Sequence, residues 1–260
     1  MKLRLLIFFI LFSVAAMPSV FSQPKGSKAK IVAHRGAWKE AGNPQNSIAS
    51  LREAIRLGLY ASECDVWMTS DGVLVVNHDK DFYGTVIETA TYEELLKTKH
   101  PNGEKIPTLK EYLEEAGKQK KTRLILDIKP SKLSKERTLE IAEKCVAMVK
   151  ETKTKKIVDY IHFDYDACKR IKQVDPKAEV SYLNGDVAPE QVQADGIDGI
   201  DYSMGAYRKN EGWIQDAKAR KMVVNVWTVN TEKDMQYFID QKVDLITTDQ
   251  PELLLKVLAK

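Results

Sequence analysis

From residue 30 onward the chain alternates short apolar runs of strand character with segments of helical period. The strand runs are KIVAHRG, ASECDVW, VLVVNHD, TRLILDIK, IVDYIHFD, EVSYLNG, GIDGIDYS, MVVNVWTVN and VDLITTDQP. Between them, SIASLREAIRLG places Ile48, Leu51, Ala54 and Ile55 on one face and stops at Gly58. TLKEYLEEAG opens on the capping box Thr108–Glu111 and ends at Gly117. SKERTLEIAEKCVAMVKE carries Leu139, Ala142, Cys145, Val146 and Val149 on one stripe. Asp164 caps DYDACKRIKQVD, Asp175-Pro176 stops it, and TEKDMQYFIDQ and PELLLKVLAK close the chain.

The second and third strand runs are joined by Asp71-Gly72, the strongest short hairpin signal. So short a link forces an antiparallel pair, because a parallel crossover needs a dozen or more residues. Eight strands then remain for β/α alternation. Eight parallel units at 260 residues predict an α/β TIM (β/α)8 barrel with a β-hairpin extension after its second strand. A doubly wound open sheet is the alternative; the strand count and the lack of a Gly-rich nucleotide loop favour the barrel.

With Asp71 and Gly72 as a two-residue loop, Ser70 faces Val73, Trp67 faces Val76, and Asp65 faces His78. Strand side chains alternate faces, so Glu63 and Asp65 share one face and Cys64 and Val66 take the other. The bland reading is a half-exposed hairpin with its polar residues in water.

The polar residues gather at strand ends, where a TIM barrel keeps its chemistry. His34-Arg35 ends the first run, Glu63 and Asp65 lie on the second, Asp127 and Lys129 end LILDIK, Trp227 lies in NVWTVN and Asp249 ends ITTD. One such acid means little, since capping acids belong there; charge after several apolar runs is a pattern. Glu63, Asp65 and Asp127 are hard oxygen donors that would repel one another unless a cation sits between them. All-oxygen ligation suits Mg²⁺ or Ca²⁺ rather than zinc. His34 and His78 suit a general acid and a general base. Arg35 and Lys129 bring fixed positive charge suited to phosphate. Two imidazoles, a metal and two cations describe phosphoryl transfer better than acyl transfer or glycoside cleavage.

AHRGAWKEAGNPQNS, ECDVWMTSDGVLVVNHD, IPTLKEYL, LILDIKP, NVWTVN and ITTDQPELL resemble, in order, the motifs of glycerophosphodiester phosphodiesterases. The resemblance spans about residues 30 to 258. It implies a TIM-barrel, metal-dependent enzyme that cleaves glycerophosphodiesters into glycerol 3-phosphate and an alcohol. By position, His34 and His78 would be the acid/base pair. Glu63, Asp65 and Asp127 would hold the metal, and Arg35 and Lys129 the phosphate. Asn46 would sit near metal and phosphate, and Trp227 would line the substrate pocket. The glycerol 2-hydroxyl would attack phosphorus while one histidine takes its proton and the other protonates the leaving alcohol.

The chain departs from the family at three places. The family's Pro-Glu-Asn-Thr is Pro44-Gln45-Asn46-Ser47 here, and its usual third-ligand Glu is Asp127, as in the related sphingomyelinase D enzymes. The run after the second histidine lacks the family's arginine and reads HDKDFYGTVIETATYEELL, which opens the question of headgroup choice. Phe82 and Tyr83 there either stack on a ligand or pack the loop. Two alternatives follow: a lysophospholipid or phosphoinositol phosphodiesterase on the same site, favoured by apolar loops around Phe82 and Trp213, or a non-catalytic phosphodiester-binding barrel.

The first 22 residues read as a secretory signal: Lys2 and Arg4, an apolar run from Leu5 to Met17, then small residues before Gln23. The run is shorter than the ~20 residues that span a bilayer, and no cysteine marks a lipidated cut, so no stable membrane anchor is expected. The mature protein, residues 23 to 260 as one domain, would be exported, periplasmic or secreted. Removing Lys2 and Arg4 takes the net charge from +3 to +1, and without a basic stripe nucleic acid is not an expected partner. The expected partner is a small phosphodiester. Cys64, Cys145 and Cys168 form no disulfide framework and read as buried small hydrophobes.

Overall fold

The computed structural model describes residues 29–260; the expected leader, residues 1–22, lies outside them. In chain order the first elements are β1 (Lys30–Ala33), α1 (Ile48–Arg56), β2 (Ala61–Met68) and β3 (Leu74–Val76). A short excursion follows: β4 (Asp81–Phe82), β5 (Thr85–Val86), a 3-10 turn and α2 (Tyr92–Leu95). Then come α3 (Leu109–Ala116), β6 (Arg123–Ile128), α4 (Lys135–Glu151), β7 (Val158–His162), α5 (Tyr165–Val174), β8 (Val180–Tyr182), α6 (Pro189–Ala194) and β9 (Gly199–Ser203). The chain closes with α7 (Met204–Lys209), α8 (Trp213–Ala219), β10 (Val223–Trp227), α9 (Glu232–Asp240), β11 (Leu245–Thr248) and α10 (Pro251–Leu258).

The order β1-β11-β10-β9-β8-β7-β6-β2 closes through β1 and β2, giving eight parallel strands in a TIM barrel, as the alternation predicts. Val32, Ala61, Ile125, Ile161, Leu183 and Leu245 pack inside the barrel. The larger apolar layer, with Cys64, Val66, Cys145 and Cys168, lies between strands and helices. All three cysteines are buried and unpaired. The helix signals hold: Thr108 and Glu111 form the capping box, the Asp164 side chain accepts from Ala167 N–H, and Gly58 takes the left-handed conformation that ends α1.

The hairpin register is one residue away from the expected one. Val66 pairs with Val76 and Trp67 with Val75, so Asp65 lies opposite Asn77, whose N–H donates to the Asp65 carbonyl at 3.0 Å. The loop holds three residues rather than two, because Thr69 N–H donates to Val73 O and only Gly72 has positive φ. Asp71 stays out of the left-handed region, accepting instead from the Thr69 hydroxyl at 2.5 Å. A one-residue slip flips faces, so His78 does not reach the acidic face by cross-strand pairing. β3 stops at Val76, and the chain then turns in over the barrel mouth, its His78 carbonyl held by the Trp67 indole N–H at 3.1 Å. All eight residues of β2 are buried, against the half-exposed hairpin reading.

The excursion has its own small core of Trp67, Val75, Phe82, Ile87, Ala90, Leu95 and Ile106. Helices α2, α6, α7 and α8 went unread because segments of four to seven residues are too short to show a period.

Candidate active site

β1 ends at Ala33, level with Ser62, and the chain leaves it through a tight turn. Arg35 at φ +58 and Gly36 at φ +82 both lie in the left-handed region. A Cβ on Gly36 would meet the Ser50 hydroxyl oxygen at 2.4 Å, so only glycine lets the turn press against α1. The turn aims Arg35 N–H at Glu63 Oε2, 2.8 Å away. Arg35 and Asn46 are non-glycine residues with φ of +58, a costly conformation that clusters at functional sites.

One cavity of about 110 Å³ at the carboxyl end of the barrel is lined by His34, Arg35, Glu63, His78, Asp127, Lys129 and Trp227, together with Phe163, Asp201 and Thr247 among others. Seven of the nine residues singled out in the sequence thus meet at one place. The other two, Asp65 and Asn46, lie just behind. Asn46 grips Asp65 twice, donating from Nδ2 to Oδ2 at 2.7 Å and accepting from its N–H at 3.1 Å. Trp227 donates from its indole to the Asp201 carbonyl and sets its ring edge-on to Phe163.

Glu63, Asp65 and Asp127 are buried and offer oxygens that all lie within 4.8 Å of one another. Lys129 Nζ bridges two of them, at 2.6 Å from Asp65 Oδ1 and in contact with Asp127 Oδ2. Burial alone would raise Asp65, but Lys129, His78 and His34 outweigh it and hold the carboxyl at about 2. Burial pushes Asp127 up to about 7 despite Lys129. Burial, then the charges of Asp65 and Asp127, hold Glu63 well above the carboxylate range. Three carboxyls therefore meet too little positive charge, and Asp127 Oδ1 is buried with no partner. A hard divalent cation fits this donor set, and Glu63, Asp65 and Asp127 are the residues that could hold it.

His34 Nδ1 lies 2.6 Å from Asp249 Oδ1. Asp249 is fixed in turn by Asn230, which donates from Nδ2 to Oδ2 at 2.7 Å and accepts the Asp249 N–H. The carboxylate can only accept, so His34 carries its proton on Nδ1 and Nε2 keeps a lone pair. Arg35 Nε donates to that Nε2 at 3.3 Å. His78 Nδ1 meets Asp79 Oδ1 at 2.8 Å; burial lowers the His78 imidazole, with Asp65 and Asp79 pulling the other way. Gln45 fills the place of the family's acid, accepting from Arg35 Nη1 at 2.6 Å without adding negative charge, while Asp65 Oδ2 lies 3.8 Å from Arg35 Nε.

Sequence reasoning gave Asp249 only as a strand-end acid and did not name Asn230, Asp79, Phe163 or Asp201. Asn230 stands in the quoted NVWTVN run, and Asp79 directly follows His78. Asp201 gave no signal beyond one acid in an apolar strand. Phe82 is 1% exposed and packs the excursion, whereas Tyr83 is 57% exposed. Trp213 is half-buried against the main core, so Phe82 and Trp213 form no apolar lip.

A sequence model described as the glycerophosphoryl diester phosphodiesterase family matches residues 34–253. The chain belongs to this family. A glycerophosphodiester phosphodiesterase from Parabacteroides distasonis is 46% identical over 90% of this chain and 98% of its own, with a TM-score of 0.87. One from Caldanaerobacter subterraneus is 29% identical over 90% of this chain and 99% of its own. A phosphodiesterase from Oleispira antarctica, solved with the product sn-glycerol-3-phosphate, is 22% identical and shares the fold with a TM-score of 0.74, covering 89% of this chain and 97% of its own.

Proposed function

We propose that the protein hydrolyses glycerophosphodiesters to glycerol 3-phosphate and an alcohol, with a divalent cation and two histidines. The observation that carries this is the single cavity that joins His34, His78, Arg35 and Lys129 to the carboxylates Glu63 and Asp127, with Asp65 directly behind. A cation held by Glu63, Asp65 and Asp127 would supply charge stabilisation for the phosphoryl oxygens. Arg35 and Lys129 add fixed positive charge at the same place.

The two histidines have different surroundings, which divides their roles. His34 lines the small cavity, and its Nε2 lone pair can take a proton. His78 lines both that cavity and a wider cleft of about 500 Å³ beside it. In the proposed reaction His34 Nε2 takes the proton of the glycerol 2-hydroxyl as its oxygen bonds to phosphorus. The bond to the leaving alcohol breaks as His78 gives that oxygen a proton. Water then opens the cyclic phosphate with the two histidines in exchanged roles, which restores both. Asp249 holds neutral His34 in the tautomer a base needs, whereas His78 starts as the imidazolium, a form that Asp65 and Asp79 favour against burial.

The test is the identity of the products from glycerophosphocholine. The proposal expects glycerol 3-phosphate and choline in equal amounts; phosphocholine and glycerol would mean cleavage on the other side of phosphorus, and no turnover by folded protein would favour a binding barrel. We also propose export, on the leader-like first 22 residues. N-terminal sequencing of the exported protein should begin at Gln23; an intact Met1 would contradict it.

A further inference from the structure

The cleft of about 500 Å³ beside the catalytic cavity shares His78 with it, the residue assigned to protonate the leaving alcohol. Whatever leaves from His78 must occupy this cleft, because the small cavity holds the glycerol and phosphate side. Its walls come from the run that begins at His78, where this chain departs from its family, from residues 42–46 and from residues 100–102. Asp79 and Asp81 line it, and no Lys or Arg does among the described residues. Asp81 spends one oxygen on Gly84 N–H, and Asp79 spends one on His78, so each keeps one oxygen free. Tyr83 offers an exposed ring, set edge-on to His100 and tied to it by a 3.2 Å hydrogen bond between Tyr83 OH and His100 Nδ1. His100 lines the cleft too; it is 6% exposed, and its Nε2 has no partner. The remaining polar wall is amides, among them Asn43 and Asn102.

Two carboxylates, an accessible aromatic face and no cation beyond the His78 imidazolium that Asp79 faces form an environment for a positively charged group. An anionic headgroup would face repulsion from Asp81, whose only side-chain oxygen contact is the neutral Gly84 N–H. A neutral polyol could bond the amides but would leave the carboxylate charge unused. We infer that this cleft is a leaving-group subsite that selects alcohols bearing a cationic nitrogen, either a primary or a quaternary ammonium. Tyr83 and Asp81 are its specificity-determining residues. The inference rests on the proposed phosphodiesterase reaction.

The experiment compares kcat/KM for glycerophosphocholine, glycerophosphoethanolamine, glycerophosphoglycerol and glycerophosphoinositol. The expected result is a preference of about 10-fold or more for the two amine substrates, expressed mainly in KM, on the scale of a cation–aromatic contact reinforced by a carboxylate. In Tyr83→Ala and Asp81→Asn the ratio of amine to neutral substrate should collapse toward one. Asp81→Asn keeps the acceptor for Gly84 N–H, so it separates charge from folding. Turnover of all four substrates without preference, or a preference for the polyols, would overturn the inference and leave the reaction class standing. No turnover of any would overturn the reaction class itself, and the inference with it.

Discussion

His34 donates from Nδ1 to Asp249 Oδ1 across 2.6 Å, joining the first strand of the barrel to the end of the last. β1 and β11 are neighbours in register, Ala33 opposite Thr248, so the two side chains leave adjacent strand ends at the same height. The bond fixes which nitrogen of His34 keeps its lone pair, and with it which atom can accept a proton.

Asp249→Asn removes that bias, since an amide can offer His34 either a donor or an acceptor. We expect kcat to fall about 10²-fold, on the scale of lost general-base function, with KM little changed. Steady-state kinetics on a variant with unchanged circular dichroism checks this; wild-type kcat would mean that Asp249 does not orient the base.

Lys129 is nearly buried and bridges Asp65 and Asp127. Lys129→Met leaves the carboxylates without their bridging cation, a loss that in buried pairs costs about 3–5 kcal/mol. Protonation of Asp127, already pushed up to about 7, softens the loss. The variant should therefore melt well below wild type in chelator and recover much of the gap in Ca²⁺ or Mg²⁺. A melting temperature indifferent to both the mutation and the cation would contradict the reading of Glu63, Asp65 and Asp127 as one charged cluster.

Asp201 is 1% exposed on the cavity floor, accepting from Asn225 Nδ2 at 2.9 Å, with Oδ1 unpartnered. Burial raises its carboxyl from 3.8 to about 8. Below about pH 4 both folded and unfolded chains hold this proton, and the contribution to stability is complete. Between there and about pH 8 only the folded chain holds it, so stability falls as pH rises. Asp201→Asn mimics the protonated acid and should flatten that decline. Melting curves at pH 5 and pH 8 measure it; parallel losses in wild type and variant would show that Asp201 is not the group responsible.

Much of this fold could be read from the alternation of apolar runs, because a barrel repeats one β/α unit and each unit carries its own signal. The hairpin showed what such reading misses. Asp-Gly named the turn, but the bond from Thr69 to Asp71 set the loop length, and one residue of length decides every facing pair. His78 still reached the site, because the chain leaves β3 before the expected pairing would begin. The metal-type acids were legible because Glu63–Asp65 and the Asp127–Lys129 pair each fall two apart on a strand. The groups that orient them were not. Asp249, itself held by Asn230, meets His34 only once the barrel closes, and Asn225 links Asp201 to Thr247 across three neighbouring strands. Neither contact has a spacing in sequence.

The measurement that bears most directly on the whole account is glycerol 3-phosphate release by the wild type, His34→Ala and His78→Ala, each in EDTA and after Ca²⁺ or Mg²⁺ is restored. The account predicts cation-dependent release by the wild type and a loss of about 10²-fold or more in each variant, with all three proteins folded. Full activity in EDTA would remove the cation from the mechanism, and near-wild-type turnover by either variant would overturn the assignment of its histidine.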